Sequence, residues 1–157
     1  MPLHLVPPIH RATHRIGLYL ATLREDGLSQ GEAHILALLA ESGAATIGQL
    51  HRGLAHKRST LTSILDRLVA RGLATRTVGD ADRRTFVVAL TARGRRVAAR
   101  VRRHIAALER AVARRATPGE MRACLKVIGI VESEAHSRCS AKASAGRRRP
   151  GVKRALG

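Results

Sequence analysis

Aromatic residues are nearly absent from this sequence, which has one Phe, one Tyr and no Trp among 157 residues. The core must therefore be built from Leu, Ile, Val and Ala, each of which buries less area than an aromatic ring. Because 45% of the residues are hydrophobic, we expect the chain to fold rather than stay disordered. Its length suits one domain with a substantial core better than two.

Acidic residues are also scarce, with 11 Asp and Glu against 29 Lys and Arg, which gives a formal net charge of +18. Such an excess opposes compaction by self-repulsion and indicates a polyanionic partner, either nucleic acid or an anionic membrane surface. A genome rich in Arg codons would raise the number of surface arginines. It would not by itself leave acids so rare.

Patterned cysteines and long apolar runs are missing too. Cys124 and Cys139 form no CxxC pair, which favours a reducing cytoplasm over a disulfide framework. The first ten residues lack the charged leader and apolar core of a signal peptide. No apolar run approaches the length of a membrane span, so we expect a cytoplasmic protein without a membrane partner.

Catalytic and cofactor-binding motifs are not visible. The sequence contains no GxSxG, HExxH or GxxxxGK[ST] motif, and its acids are scattered, so we expect no enzyme and no cofactor. His10 and His14 have the i, i+4 spacing that can chelate zinc, but no nearby Cys or acid completes a site, and we predict no metal. Cys124 lies among apolar residues and is expected to be a small buried hydrophobe.

Helical periodicity and capping boxes outline the first part of the chain. Apolar spacing predicts a first helix from Ile9 to about Glu25. The segments 29–32 and 46–49 have the form of capping boxes, which predict the starts of the second and third helices. A fourth helix is predicted from about Lys57 to Arg71, with Gly72 as its C′ residue. Its inward stripe is Leu61, Ile64, Leu65 and Leu68.

The apolar period then changes to two. Leu73–Val78 and Thr85–Leu90 read as the strands of a β-hairpin with a basic tip. Thr91 caps a long helix, and a third capping box at 117–120 begins the last helix. The segment from Ser137 onward contains no acids and is predicted to be a disordered basic tail.

These elements predict a mainly α fold with a small β-hairpin wing, a winged helix-turn-helix with N- and C-terminal dimerisation helices. The predicted parts are an N-terminal dimerisation helix (1–28), a DNA-binding lobe (29–92), C-terminal dimerisation helices (93–136) and the tail (137–157). A helix following a short helix and a tight turn can enter the major groove, which is about 12 Å wide. The candidate DNA-binding residues are Lys57, Arg58, Ser59, Thr60, Thr62, Ser63 and Arg67 on that helix, with Arg83 and Arg84 at the hairpin tip.

A plainer interpretation stays open for both groups. Any solvated helix face carries polar residues of this kind, and the tip arginines could pair with Asp80 or Asp82. The adjoining hairpin favours the DNA-binding interpretation, because a wing can lay Arg against phosphates or into a narrow minor groove. A sequence-neutral architectural nucleic-acid binder is the alternative function. The hydroxyl-rich helix face favours a sequence-specific regulator.

The segment from Leu50 to Gly94 resembles the MarR family of transcriptional regulators. The resemblance rests on Ser59-Thr60-Leu61-Thr62, Leu65-Asp66-Arg67-Leu68, Arg71-Gly72-Leu73, Arg76, Asp82-Arg83-Arg84, Leu90-Thr91 and Gly94. It implies a triangular homodimer whose first and last helices interlock. It further implies binding to an inverted-repeat operator in double-stranded DNA, which usually represses transcription. A small phenolic or lipophilic effector often relieves this repression.

The resemblance also implies roles for individual residues. Asp66 would form an ion pair with a wing arginine, for which we choose Arg84. Arg83 would then face DNA. Asp82 is assigned to the same group of ion-pair residues. An effector would lie between the dimerisation helices and the DNA-reading lobe, lined by His14, Leu18 and Tyr19. The sequence departs from the family in two places. His56-Lys57-Arg58 replaces a small capping residue, and the first helix lacks the reactive Cys of the peroxide-sensing branch.

Overall fold

The structure, a computed structural model, describes residues 4–23, 27–54, 58–79 and 85–146. These ranges hold six helices and three strands. In chain order they are α1 (Val6–Leu20), α2 (Gln30–Ser42), β1 (Ala44–Thr46), α3 (Ile47–Leu54), α4 (Arg58–Ala70), β2 (Ala74–Val78), β3 (Phe86–Leu90), α5 (Ala92–Ala113) and α6 (Pro118–Gly146). The chain divides into two compact units, residues 1–108 and 109–157.

The helix starts follow the predicted caps. In the box before α2, the Ser29 backbone N–H donates to Glu32 Oε2 (2.7 Å) and the Glu32 N–H donates to Ser29 Oγ (3.3 Å). The same reciprocal pair joins Thr46 with Gln49 before α3 and Thr117 with Glu120 before α6. Three capping boxes predicted from the sequence are therefore confirmed.

Helix α1 ends earlier than expected. It stops at Leu20, where the N–H groups of Thr22 and Leu23 each bond a carbonyl three residues back. The Thr22 hydroxyl also donates to the Tyr19 carbonyl, at 2.7 Å. These tight-turn bonds replace the α-helical pattern, so the predicted end near Glu25 was wrong, although 24–26 themselves lie outside the described residues.

The hairpin strands pair as predicted, with Arg76 opposite Val88 in the antiparallel β2–β3 register. A third strand was missed. β1 pairs antiparallel with the other edge of β3, giving the order β1-β3-β2. With only three residues, β1 is too short to show a period of two.

The core of the first unit is aliphatic, as the composition requires. The predicted α4 stripe of Leu61, Ile64, Leu65 and Leu68 is buried in one cluster with residues of α2, β3 and the first half of α5. Val88 and Leu90 of β3 are buried as well. Phe86, predicted to alternate with them, remains 39% exposed at the end of its strand.

Gly94 lies where the start of α5 crosses the residue before β2. Its N–H donates to Thr91 Oγ at 2.9 Å, while the Thr91 N–H and hydroxyl donate to the carbonyls of Leu73 (3.1 Å) and Gly72 (2.7 Å). A Cβ at position 94 would overlap the Leu73 carbonyl oxygen. Glycine here permits a backbone approach that no other residue allows.

The second unit contains the end of α5 and the 29-residue α6. Helix α6 continues to Gly146, so the prediction that order ends at Ser137 was wrong. Residues 137–146 hold three alanines and no proline, and Arg138 pairs with Glu134 one turn back, at 3.4 Å. Residues 147–157 of the predicted tail lie outside the described residues.

Cys124 corrects a second expectation about α6. Its side chain is exposed in the single chain, and so are the neighbouring apolar residues Leu125 and Ile128. Cys139 is likewise free and exposed. No helix in the described part of the chain combines the length and apolarity needed to cross a bilayer.

Candidate nucleic-acid interface

Helix α4 separates an apolar inner side from a polar outer side. With Leu61, Ile64, Leu65 and Leu68 buried, the polar residues of its other side are turned to solvent. A shallow depression runs along this outer side, lined by Ser59, Thr62, Ser63, Asp66, Arg67 and Ala70. We call Ser59, Thr62, Ser63, Asp66 and Arg67 the reading face.

The structure places the predicted DNA-binding residues unevenly. Ser59, Thr60, Thr62, Ser63 and Arg67 are exposed on α4, and Arg58 is its first residue. Lys57, Asp80, Asp82, Arg83 and Arg84 lie outside the described residues. The proposed pairing of Asp66 with Arg84 therefore stays a prediction.

Asp66 has a partner that sequence reasoning did not identify. Its Oδ1 lies 3.7 Å from Nη1 of Arg76 on strand β2. The Arg76 guanidinium also stacks over the Phe86 ring, 4.2 Å from its centroid. This cation–π contact adds about 0.5–1 kcal/mol at an exposed site. The reading face and the wing strands are thus joined through one arginine, which the sequence showed only as a family hallmark.

Arg67 is engaged on both sides of its guanidinium. Its Nε lies 3.4 Å from Glu32 Oε1, and its Nη1 donates to Ser63 Oγ at 3.1 Å. The Arg67 side chain nevertheless remains 51% exposed. It can therefore brace α4 and still present N–H groups to a phosphate or a base edge.

Glu32 is the one charged residue among the buried residues of the described chain, with 3% of its surface exposed. Its Oε1 also lies 3.6 Å from Nη1 of Arg71. Burial alone would raise the pKa of Glu32. The hydrogen bonds from Ser29 and the charges of Arg71 and Arg67 outweigh burial and hold the pKa below its usual 4.5, so Glu32 is ionised at neutral pH. The sequence identified this residue only as a helix cap.

The predicted effector residues are only partly brought together. His14 and Leu18 line a depression along α1 with His10, Arg11 and Arg15. Tyr19 lies against α5 instead, where its ring stacks on His104 at 3.9 Å and its hydroxyl donates to the His104 carbonyl at 3.1 Å. Within the described ranges, no three His, Cys, Asp or Glu residues are placed to hold a metal ion.

Comparison with known proteins identifies this arrangement. The model of the MarR family matches residues 28–86, which include α2, α3, α4 and the start of β3. Residues 28–86 are therefore similar in sequence to the MarR family. No curated protein sequence matches the chain.

Solved structures share the fold well beyond the MarR-family segment. A MarR family transcriptional regulator from Silicibacter pomeroyi is 28% identical, with 83% of this chain and 89% of that chain covered and a TM-score of 0.71. The protein in the S. aureus MepR–DNA complex is 16% identical, with 85% of this chain and 99% of that chain covered and a TM-score of 0.75. Bordetella bronchiseptica BpsR, whose DNA binding is regulated by 6-hydroxynicotinic acid, is 22% identical. The match covers 84% of this chain and 98% of that chain, with a TM-score of 0.70.

The family match and the shared fold support a DNA-binding transcriptional regulator. The solved relative from Silicibacter pomeroyi is described as a transcriptional regulator, and the absence of catalysis stays a prediction for this chain.

Proposed function

We propose that the protein is a homodimeric repressor that binds an inverted-repeat operator through α4 and is released by a small-molecule effector. The observation that carries this proposal is the two-sided build of α4. Its apolar stripe is buried, so the hydroxyl and charged side chains of the reading face can enter a groove without disturbing the core. Hydroxyls and guanidinium groups are suited to bonding base edges and phosphates.

Dimerisation is supported by the apolar residues that a single chain leaves in water. On α6 these are Leu125, Val127, Ile128 and Ile130, of which Leu125 is 65% exposed. Exposed apolar side chains in this number favour burial against a second copy. Two-fold symmetry would place two reading helices about 34–36 Å apart, which matches half-sites one helical turn apart.

The effector and the compartment are the finer parts of the proposal. The depression at His14 and Leu18 is the candidate effector site, and the regulation of BpsR by 6-hydroxynicotinic acid supports an effector of similar size. The cytoplasm is the proposed compartment, since the partner is DNA and both cysteines are free.

The test is selection from random duplex DNA by the full-length protein at near-physiological salt. We expect enrichment of an inverted repeat with half-site centres about 10 base pairs apart. Enrichment of a single unrepeated half-site would contradict the dimer. Binding without any enriched sequence, weakening steeply as salt rises, would instead support the architectural alternative.

A further inference from the structure

A buried carboxylate lies where α2 crosses α4, and it contacts Arg67 of α4 and Arg71, the first residue after that helix. Glu32 Oε1 is 3.4 Å from Arg67 Nε and 3.6 Å from Arg71 Nη1. Replacing buried ion pairs with apolar side chains is often neutral or stabilising. The capping box explains what Glu32 Oε2 does, since it accepts the Ser29 N–H. The ion pairs at Glu32 Oε1 add little stability by themselves, so their geometry is the more informative property.

The geometry of the crossing restricts the rotation of α4 about its own axis. The apolar stripe that packs α4 inward has no directional preference. Charge-assisted hydrogen bonds are directional. Arg67 Nε donates to Glu32 Oε1 at 3.4 Å, and Arg71, the first residue after α4, brings its Nη1 to 3.6 Å from the same oxygen as an ion pair. A small rotation of the helix would lengthen both contacts, whereas the buried apolar area changes only gradually with such a rotation.

A line of contacts continues from this carboxylate to the reading face. Arg67 donates from Nη1 to Ser63 Oγ at 3.1 Å, and both residues belong to the reading face. A planar guanidinium held at Nε and Nη1 has little freedom to turn. Less side-chain entropy is then lost when its other N–H groups meet DNA.

We propose that Glu32 is a positioning residue for DNA recognition. It holds Arg67 and the rotation of α4 so that Arg67 and Ser63 meet the operator in one fixed geometry. The inference rests on the proposed function, in which α4 reads an operator. Glu32 itself touches no DNA and acts through Arg67.

The test compares Glu32→Gln, Arg67→Gln and the double variant in binding to the selected operator and to random duplex DNA of equal length. Glutamine keeps an oxygen that can accept the Ser29 N–H but removes the charge. We expect each single variant to lose operator affinity at least tenfold and affinity for random DNA less than threefold. Because the two residues act as a unit, the double variant should be within threefold of the weaker single variant.

Glu120→Gln is the matched control. Glu120 occupies the same kind of capping box, accepting the Thr117 N–H at 2.7 Å, and its pKa is lowered by those Thr117 bonds. Its operator and random-DNA affinities should stay within twofold of the wild type. Urea unfolding of every variant identifies the conditions in which each variant is fully folded. Binding is measured under those conditions, so that a loss of affinity does not reflect unfolding.

The inference would be overturned if Glu32→Gln kept the wild-type ratio of operator affinity to random-DNA affinity. It would also be overturned if the losses of operator affinity in the two single variants multiplied in the double variant. If Glu32→Gln does not fold, Arg67→Lys tests the same link at the exposed end. Lysine keeps the charge without the fork, so we expect the operator preference to fall; an unchanged preference overturns the inference. If the wild-type protein shows no preference for an operator, the proposed function is wrong as well. If the wild-type protein has a preference and these variants keep it, only this inference is wrong.

Discussion

Gly94→Ala is expected to cost about 3 kcal/mol or more in the free energy of unfolding. The new methyl group would overlap the carbonyl oxygen of Leu73, which is backbone and cannot rotate away as a side chain can. Relief requires moving either the start of α5 or the residue that leads into β2. Both carry hydrogen bonds of Thr91, which would be strained or lost. Urea unfolding followed by circular dichroism measures the loss.

Gly48→Ala is the control for this prediction. Gly48 is an exposed position of α3, and a Cβ there would meet no atom closer than 3.7 Å. Alanine should stabilise this helix by about 0.5–1 kcal/mol. If the free energy of unfolding of Gly94→Ala lies within about 0.5 kcal/mol of the wild-type value, the predicted effect of the close approach of α5 to Leu73 is wrong.

Ser59→Glu is expected to reduce operator affinity about 100-fold or more. Ser59 is exposed on the reading face in the first turn of α4, so its replacement would bring a carboxylate against bases and phosphates. Like charges at an interface cost several kcal/mol, and about 1.4 kcal/mol is a factor of ten. An acid in the first turn favours the helix through its macrodipole, so the fold should not suffer. Fluorescence anisotropy with a labelled operator measures the affinity.

Ala92→Glu makes the same change of charge at a matched position. Ala92 is exposed in the first turn of α5 and lies off the reading face. Its operator affinity should fall less than fivefold, by the long-range effect of one charge. Equal losses in the two variants would show that net charge, rather than the position of α4 in a groove, controls binding.

The parts of the fold that sequence analysis predicted depend on neighbouring residues. The box formed by Ser29 and Glu32 is complete within four residues, and the α4 stripe repeats within two turns. The glycine at position 72 adopts φ +64°, as its role after the last turn of α4 requires. Local rules therefore placed the reading helix and the polarity of its two sides.

The missed features join residues far apart in sequence. The Glu32–Arg67 contact spans 35 positions, and the bond from the Tyr19 hydroxyl to the His104 carbonyl spans 85. Neither leaves a periodic pattern, because each depends on how helices cross after they have packed. Strand β1 was missed for a similar reason, since its identity comes from pairing with β3. The sequence thus predicted which side of α4 is exposed better than it predicted which contacts hold that side in place.

Whether α4 reads base sequence can be measured as the ratio of two affinities. The wild-type protein is titrated against its selected inverted repeat and against a shuffled duplex of the same length and composition, at near-physiological salt. A sequence-specific regulator should prefer the repeat by about 10³-fold or more. A ratio near one, with both affinities falling equally as salt rises, would contradict the account and leave a protein that binds the phosphate backbone alone.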